Sequence, residues 1–165
     1  MRVGIRAAVL AVLIGVAIAY FSVPSRAAES CGTWTAEMVD NEGGPVLTAH
    51  ACSDDSSETW LAMMCNAGTI WMDYDMALGG TREPSLAEET EVEFVTDGGS
   101  ETVPMQFQEM TAMFGGSMPA DGKLVDLLKS GQSLLIRDSA AAYPARTYSL
   151  KGSGAALTAL VSACH

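Results

Sequence analysis

After residue 32 the chain alternates polar and apolar positions with a period of two, and clusters of glycine, asparagine, aspartate and proline interrupt it at short intervals. That pattern predicts strands joined by tight turns. From Thr33 to Val39, Trp34, Ala36 and Met38 share one face. Asp40-Asn41-Glu42-Gly43-Gly44-Pro45 then turns the chain into Val46–Cys52, and antiparallel pairing sets Val39 opposite Val46. Thr59 to Cys65 is apolar on both faces, which predicts a central strand covered on both sides. Asn66-Ala67-Gly68 leads into Thr69–Met76, with Ile70, Met72, Tyr74 and Met76 on one face and Trp71, Asp73 and Asp75 on the other.

Leu78 to Glu89 holds Gly79-Gly80, Pro84 and several charges, and reads as a surface loop. Glu91–Thr96 alternates through Val92 and Phe94, Asp97-Gly98-Gly99-Ser100 is a hairpin turn, and Val103, Met105 and Phe107 line the returning strand. Pro104 pushes that strand toward a sheet edge. Glu109 to Ala120, where Met110, Met113 and Met118 surround Gly115-Gly116 and Pro119, reads as a mobile loop.

The period then lengthens. Asp121 is placed to cap a short helix carrying Leu124, Leu127 and Leu128, with Lys129 in its last turn and Gly131 just beyond. Strands over Ser133–Asp138 and Arg146–Leu150 follow, separated by a turn through Ala140–Pro144. From about Ser153, Leu157, Leu160, Val161 and Cys164 recur at i, i+3, i+4 and i+7, an apolar helical stripe. The expected fold is mostly β with an α+β finish. It is an antiparallel sheet or sandwich of about eight strands with two short helices, the C-terminal one packed on the sheet.

The N-terminus changes the setting. Residues 1–6 are basic and Ala7 to Phe21 is an apolar run, which suits a signal peptide and falls short of the ~20 residues that span a bilayer. Ser25 and Ala27 suit a cut between Ala27 and Ala28, so residues 1–27 are expected to be removed and 28–165 to form a single disulfide-linked β-rich domain. An uncleaved anchor is the alternative. Lipidation at Cys31 is disfavoured by Glu29, a charge where a lipobox needs a small residue. Loss of Arg2, Arg6 and Arg26 leaves six basic against 20 acidic residues, a net charge of −14. A surface of that sign repels phosphate backbones and anionic membranes, which argues against nucleic acid and against membrane insertion after cleavage, and leaves a protein partner.

Four cysteines in an exported chain, without a CxxC pair and with two distant histidines, read as two disulfides. Three connectivities exist. The first hairpin brings Cys31 toward Cys52, and the buried stripe of the last helix brings Cys164 to the sheet, where Cys65 is the natural partner.

Candidate chemistry is sparse. Nucleophilic catalysis needs a histidine near the nucleophile, and only His50, mid-strand, and His165, the last residue, are on offer. Ser117 in Gly115-Gly116-Ser117-Met118-Pro119 lacks the glycine spacing of a nucleophile elbow. His50 and Cys52 share a strand face but form metal ligands only if Cys52 is reduced, and a satisfied surface histidine is the plainer reading. Asp73 and Asp75 with Asp54 or Asp55 lack calcium-loop spacing. Met110, Met113 and Met118 offer thioethers of the kind that hold copper(I), against the ordinary use of methionine to fill irregular cores or adaptable contact surfaces.

Lys123 to Val161 contains Leu124-Val125-Asp126-Leu127-Leu128-Lys129-Ser130-Gly131, then a strand, then Tyr148-Ser149-Leu150-Lys151-Gly152-Ser153-Gly154-Ala155-Ala156-Leu157. This stretch resembles the C-terminal part of the invasion-associated locus B family, small exported proteins of alphaproteobacteria. The ending is also similar to periplasmic accessory proteins of type VI secretion. The resemblance implies a β-rich envelope or secreted protein that acts through contacts, and brings no catalytic residues. The expected function is that of an exported, non-catalytic interaction protein of the bacterial envelope, periplasmic or secreted, without a cofactor and with an invasion-associated role implied by the resemblance. The alternatives are a periplasmic soft-metal (copper) carrier using Met110, Met113 and Met118, and an unrecognised hydrolase.

Overall fold

The computed structural model describes residues 32–164 apart from 42 and 56–58. The expected signal segment, Cys31 and His165 lie outside the described residues. Nine strands form one antiparallel sheet: β1 (Thr35–Asn41), β2 (Gly44–Cys52), β3 (Trp60–Asn66), β4 (Thr69–Tyr74), β5 (Glu89–Thr96), β6 (Gly99–Gln108), β7 (Met113–Pro119), β8 (Ser133–Asp138) and β9 (Arg146–Ser149). Their order across the sheet is β1-β2-β3-β4-β7-β6-β5-β8-β9. Two helices, α1 (Lys123–Ser130) and α2 (Ser153–Ser162), complete the fold.

The sheet bends around its core until its two ends meet. The Trp34 amide donates to the Lys151 carbonyl at 2.8 Å and the Asp54 amide to the Thr147 carbonyl at 2.8 Å, which ties the first hairpin to the last strand. The Trp34 indole adds a bond to the Ser149 carbonyl at 3.0 Å. From β3 to β9 one face of each strand lines the interior, with Leu61, Met63, Ile70, Tyr74, Phe94, Phe114 and Tyr148 fully buried, while Thr48–Cys52 of β2 is buried on both faces and β1 is largely exposed. Each such side chain contributes roughly 1.5–3 kcal/mol from water exclusion.

Both helices are short and bury one face; α1 is amphipathic, whereas α2, SGAALTALVS, is apolar on most sides. Leu124, Val125 and Leu128 of α1 are buried, and α1 packs on β5 and β6. Leu157 and Leu160 of α2 are buried, and α2 packs on α1 and on β1, β2 and β3. The Ser153 hydroxyl, within 2.6 Å of the Leu128 carbonyl and 2.7 Å of the Leu150 carbonyl, ties the start of α2 to the end of α1. Gly152 precedes it in a left-handed conformation, φ 86°, and a Cβ there would stand 2.8 Å from the Trp34 carbonyl oxygen. Cys164, just past α2, is bonded to Cys65 of β3 across a Cα separation of 5.1 Å, the pairing expected from the buried stripe. Closing a loop with a sequence separation of 99 contributes about 4–5 kcal/mol in the chain-entropy description.

The first hairpin has the expected register, Val39 opposite Val46. Five expectations need correction. The segment read as a mobile loop contains β7, an interior strand hydrogen-bonded to β4 and β6. Gly115-Gly116 lowered its apparent strand preference, but pairing on both sides supplies what propensity lacks. The strand bearing Pro104 is not at an edge either. β7 pairs with β6 only from Met105 to Gln108, so Pro104 sits where β6 has β5 as its single neighbour, which is the local equivalent of an edge. β3 is covered on one face only: Leu61 and Met63 are fully buried, while Trp60, Ala62 and Met64 are partly exposed. His50 is buried at 7 % exposure, not a surface side chain. Finally, α1 starts after Gly122, without a side-chain cap from Asp121.

Candidate functional site

The outward face of the sheet carries a groove of about 620 Å³, of a size that holds small ligands or peptide side chains. It runs over β7, and its origin is local. On β7 the side chains of Phe114 and Met118 turn to the core, which puts position 115 on the outward face, where glycine brings no side chain of its own and leaves room for the Gln108 amide. Cross-strand pairing then sets the walls. Asp73 of β4 stands opposite Gly115, Gly115 opposite Gln106 of β6, and Gln106 opposite Glu89 of β5, one row across four strands. Neighbouring strands lie about 4.8 Å apart, so the row spans roughly 14 Å. In the next row Trp71 faces Ser117, and beyond the opening between β7 and β6 Pro104 faces Glu91.

Both glycines are set by close approach. A Cβ at Gly116 would lie 3.0 Å from Met105 Cγ and 3.2 Å from the Pro104 carbonyl, and one at Gly115 would fall on the Gln108 amide, which lies over that position. Trp71, 53 % exposed, is the large aromatic left open on this face. The carboxylates around it are Asp73, Glu89 and Glu91. Glu89 accepts a long bond from the Gln106 amide, 3.4 Å. Burial pushes the Asp73 carboxyl above the ordinary carboxylate range.

Outside the groove several acids have partners of their own. Arg82 holds Glu88 through two bonds of 2.6 and 2.7 Å, and Tyr143 donates to the same carboxylate at 2.8 Å. The Arg82 guanidinium holds Glu88 far below the usual carboxylate range, and burial together with that carboxylate pushes the Tyr143 hydroxyl up to about 12. Arg146 donates to Asp55 at 3.0 Å and to the Leu78 carbonyl at 2.6 Å. Burial raises the nearby Tyr74 and Tyr148 hydroxyls well above their ordinary value. Asp138, buried, accepts from Thr90 and from the Ala140 and Ala142 amides. These contacts pin the loop over 75–88 against the turn over 139–145.

Of the residues singled out in the sequence, the structure joins Cys65 and Cys164. Cys52 is buried and not a free thiol, and its expected partner Cys31 lies outside the described residues. The three methionines do not converge. Met110 is 94 % exposed in the turn before β7, and Met118 is in the core. Met113, an odd number of positions from Met118 on one strand, points to the opposite face and stands roughly 17 Å away. A single soft ion cannot bridge them, and this removes the geometric basis of the copper-carrier alternative. His50 lies 3.1 Å from the Thr35 hydroxyl and packs on the Trp60 ring. Asp54 accepts from the Ser149 amide and Asp55 pairs with Arg146, while Asp73 faces the groove. Among the described residues no three His, Cys, Asp or Glu side chains gather to hold a metal ion. Ser117 is exposed on the groove wall. The groove itself was missed, although a tryptophan on an acidic strand face and a Gly-Gly between apolar positions were its signals.

No family model matches the sequence. No curated protein matches it either. A solved structure does: invasion associated protein B from Bartonella henselae is similar over 81 % of this chain and 94 % of that one, at 21 % identity and a TM-score of 0.55. The two share a fold, which agrees with the resemblance read in the C-terminal segment. Among the described residues no helix is long and apolar enough to cross a membrane, and the Cys65–Cys164 bond fits an oxidising compartment.

Proposed function

We propose that this chain is an exported, non-catalytic contact protein of the bacterial envelope, periplasmic or secreted, that engages a protein partner through the groove over β7. One observation carries the reading: a concave site on the outward face whose open side chains include a tryptophan, two amides and three carboxylates. These are groups that recognise. Trp71 supplies apolar area with little ordering cost, and Gln106 and Gln108 supply donors and acceptors. The shared fold with a protein named for invasion extends the proposal to an invasion-associated role, and the disulfide and the basic-apolar N-terminus support a location outside the cytoplasm.

The test is an affinity capture from envelope extract with the exported protein as bait, run beside the Trp71→Ala variant. A partner retained by the first and lost by the second supports the reading. Equal capture by both removes the groove from it. Mass spectrometry of the exported chain checks the compartment, with a start at Ala28 expected and an intact N-terminus contradicting cleavage.

A further inference from the structure

The groove gathers three carboxylates on one concave face and supplies no cation for them, whereas four acids outside it have one. Glu88, Glu93, Glu101 and Asp55 pair with Arg82, Arg137, Lys123 and Arg146. Asp73, Glu89 and Glu91 make no ion pair with any described residue, and no lysine or arginine lines the groove. Like charges gathered on a concave surface reinforce one another's potential and favour a positive occupant. The Trp71 ring adds a face with negative electrostatic character, the best of the side-chain surfaces for a cation. Trp71 and Asp73, two positions apart on one strand face, stand roughly 7 Å apart at their Cα atoms. A planar guanidinium can therefore lie on the indole while its N–H fork reaches the carboxylate. Opposite Asp73, Gly115 brings no side chain of its own, and the Gln108 amide lies over it, a further donor and acceptor beside the carboxylate.

We propose that the groove binds an arginine-bearing, extended segment of a protein partner, the guanidinium stacking on Trp71 and pairing with Asp73, with Glu91 and Glu89 holding a second positive charge across β6. This rests on the contact reading above and names the chemistry of the partner. A sugar could also stack on Trp71. It would leave three carboxylates uncompensated, so the charge favours the cationic segment.

The probe is a blocked Gly-Arg-Gly-Arg-Gly peptide, titrated by calorimetry into the full exported protein, with lysine and glutamine analogues and a linear N-acetylglucosamine oligosaccharide alongside. Saturable binding of the arginine peptide is expected, weakening steeply with salt. Lysine should bind less well and glutamine not at all. Trp71→Ala should weaken binding about tenfold, and Asp73→Asn and Glu91→Gln each several-fold. Glu101→Gln, at an ion pair outside the groove, should leave it unchanged, with circular dichroism confirming that every variant folds. Equal affinity for the glutamine peptide, no saturable binding at millimolar arginine peptide, or sugar binding unaffected by Asp73→Asn overturns the proposal. If envelope capture depends on Trp71 but not on Asp73 or Glu91, the contact reading stands and the cationic occupant falls.

Discussion

Glu88 and Glu89 are neighbours in the chain and differ in every contact their side chains make. Glu88 belongs to the rim, the network that joins the loop over 75–88 to the turn over 139–145, where Arg82, Tyr143 and Ser85 surround its carboxylate. Glu89 belongs to the groove, where among the described residues the Gln106 amide at 3.4 Å is its one hydrogen-bonding neighbour. In the rim Glu88, Asp55 and Asp138 are met by guanidinium, hydroxyl or amide groups, and the result is a fixed connection between two loops. In the groove Asp73, Glu89 and Glu91 make no ion pair with any described residue, which is what the proposed cationic occupant would supply. Satisfied polar groups hold structure together, and unsatisfied ones on a concave face are available to a ligand.

Breaking the rim should cost the most. Arg146→Met removes the donor to Asp55 and to the Leu78 carbonyl, and because its side chain is only 14 % exposed, about 2–3 kcal/mol of unfolding free energy is at stake. Urea unfolding measures it, and peptide affinity at the groove should be unchanged. Gly116→Ala attacks the boundary between core and groove. Its methyl would press on Met105 and on the Pro104 backbone, and overpacking of this kind costs roughly 1–3 kcal/mol by the same measurement. Gly115→Ala should cost less, because the atom in the way is the end of the flexible Gln108 side chain, but it should fill the trough and weaken binding.

Acid sharpens the comparison with smaller effects of opposite sign. Arg82 lowers the Glu88 carboxyl in the folded state, so its contribution is present above the unfolded value of about 4.3 and is lost as pH falls through the folded one. The Tm advantage of the native chain over Glu88→Gln should therefore be constant near neutrality and shrink in acid. Asp73 is raised by burial, so its ionisation costs the folded state as pH rises through the carboxylate range. Asp73→Asn should accordingly raise Tm slightly at neutral pH, with the gain disappearing in acid where the native carboxyl is itself neutral. A gain in stability joined to a loss of peptide affinity is the signature of a residue kept for binding.

Much of the fold was legible. Period-two alternation located eight of the nine strands, Val39 was set opposite Val46, and the stripe ending at Cys164 pointed to Cys65. These features depend on short-range pattern and on one buried face. β7 escaped because its strand character depends on neighbours distant in sequence: Gly115 and Gly116 are weak strand formers alone, and pairing to β4 and β6 decides their conformation. The groove escaped for the same reason. Trp71 and Glu91 come from strands separated by a long loop, and only the sheet order β4-β7-β6-β5 brings them to one face. No local window contains that order.

The most direct test of the groove as the working surface is a titration of the isotope-labelled exported protein with the arginine peptide, followed through backbone amide and indole NMR shifts. Saturating changes centred on the Trp71 indole and on the amides of Gly115, Gly116 and Gln106 are predicted, with Arg82 and Tyr143 unmoved. Shifts confined to the rim, or spread over the acidic surface without saturation, would contradict it.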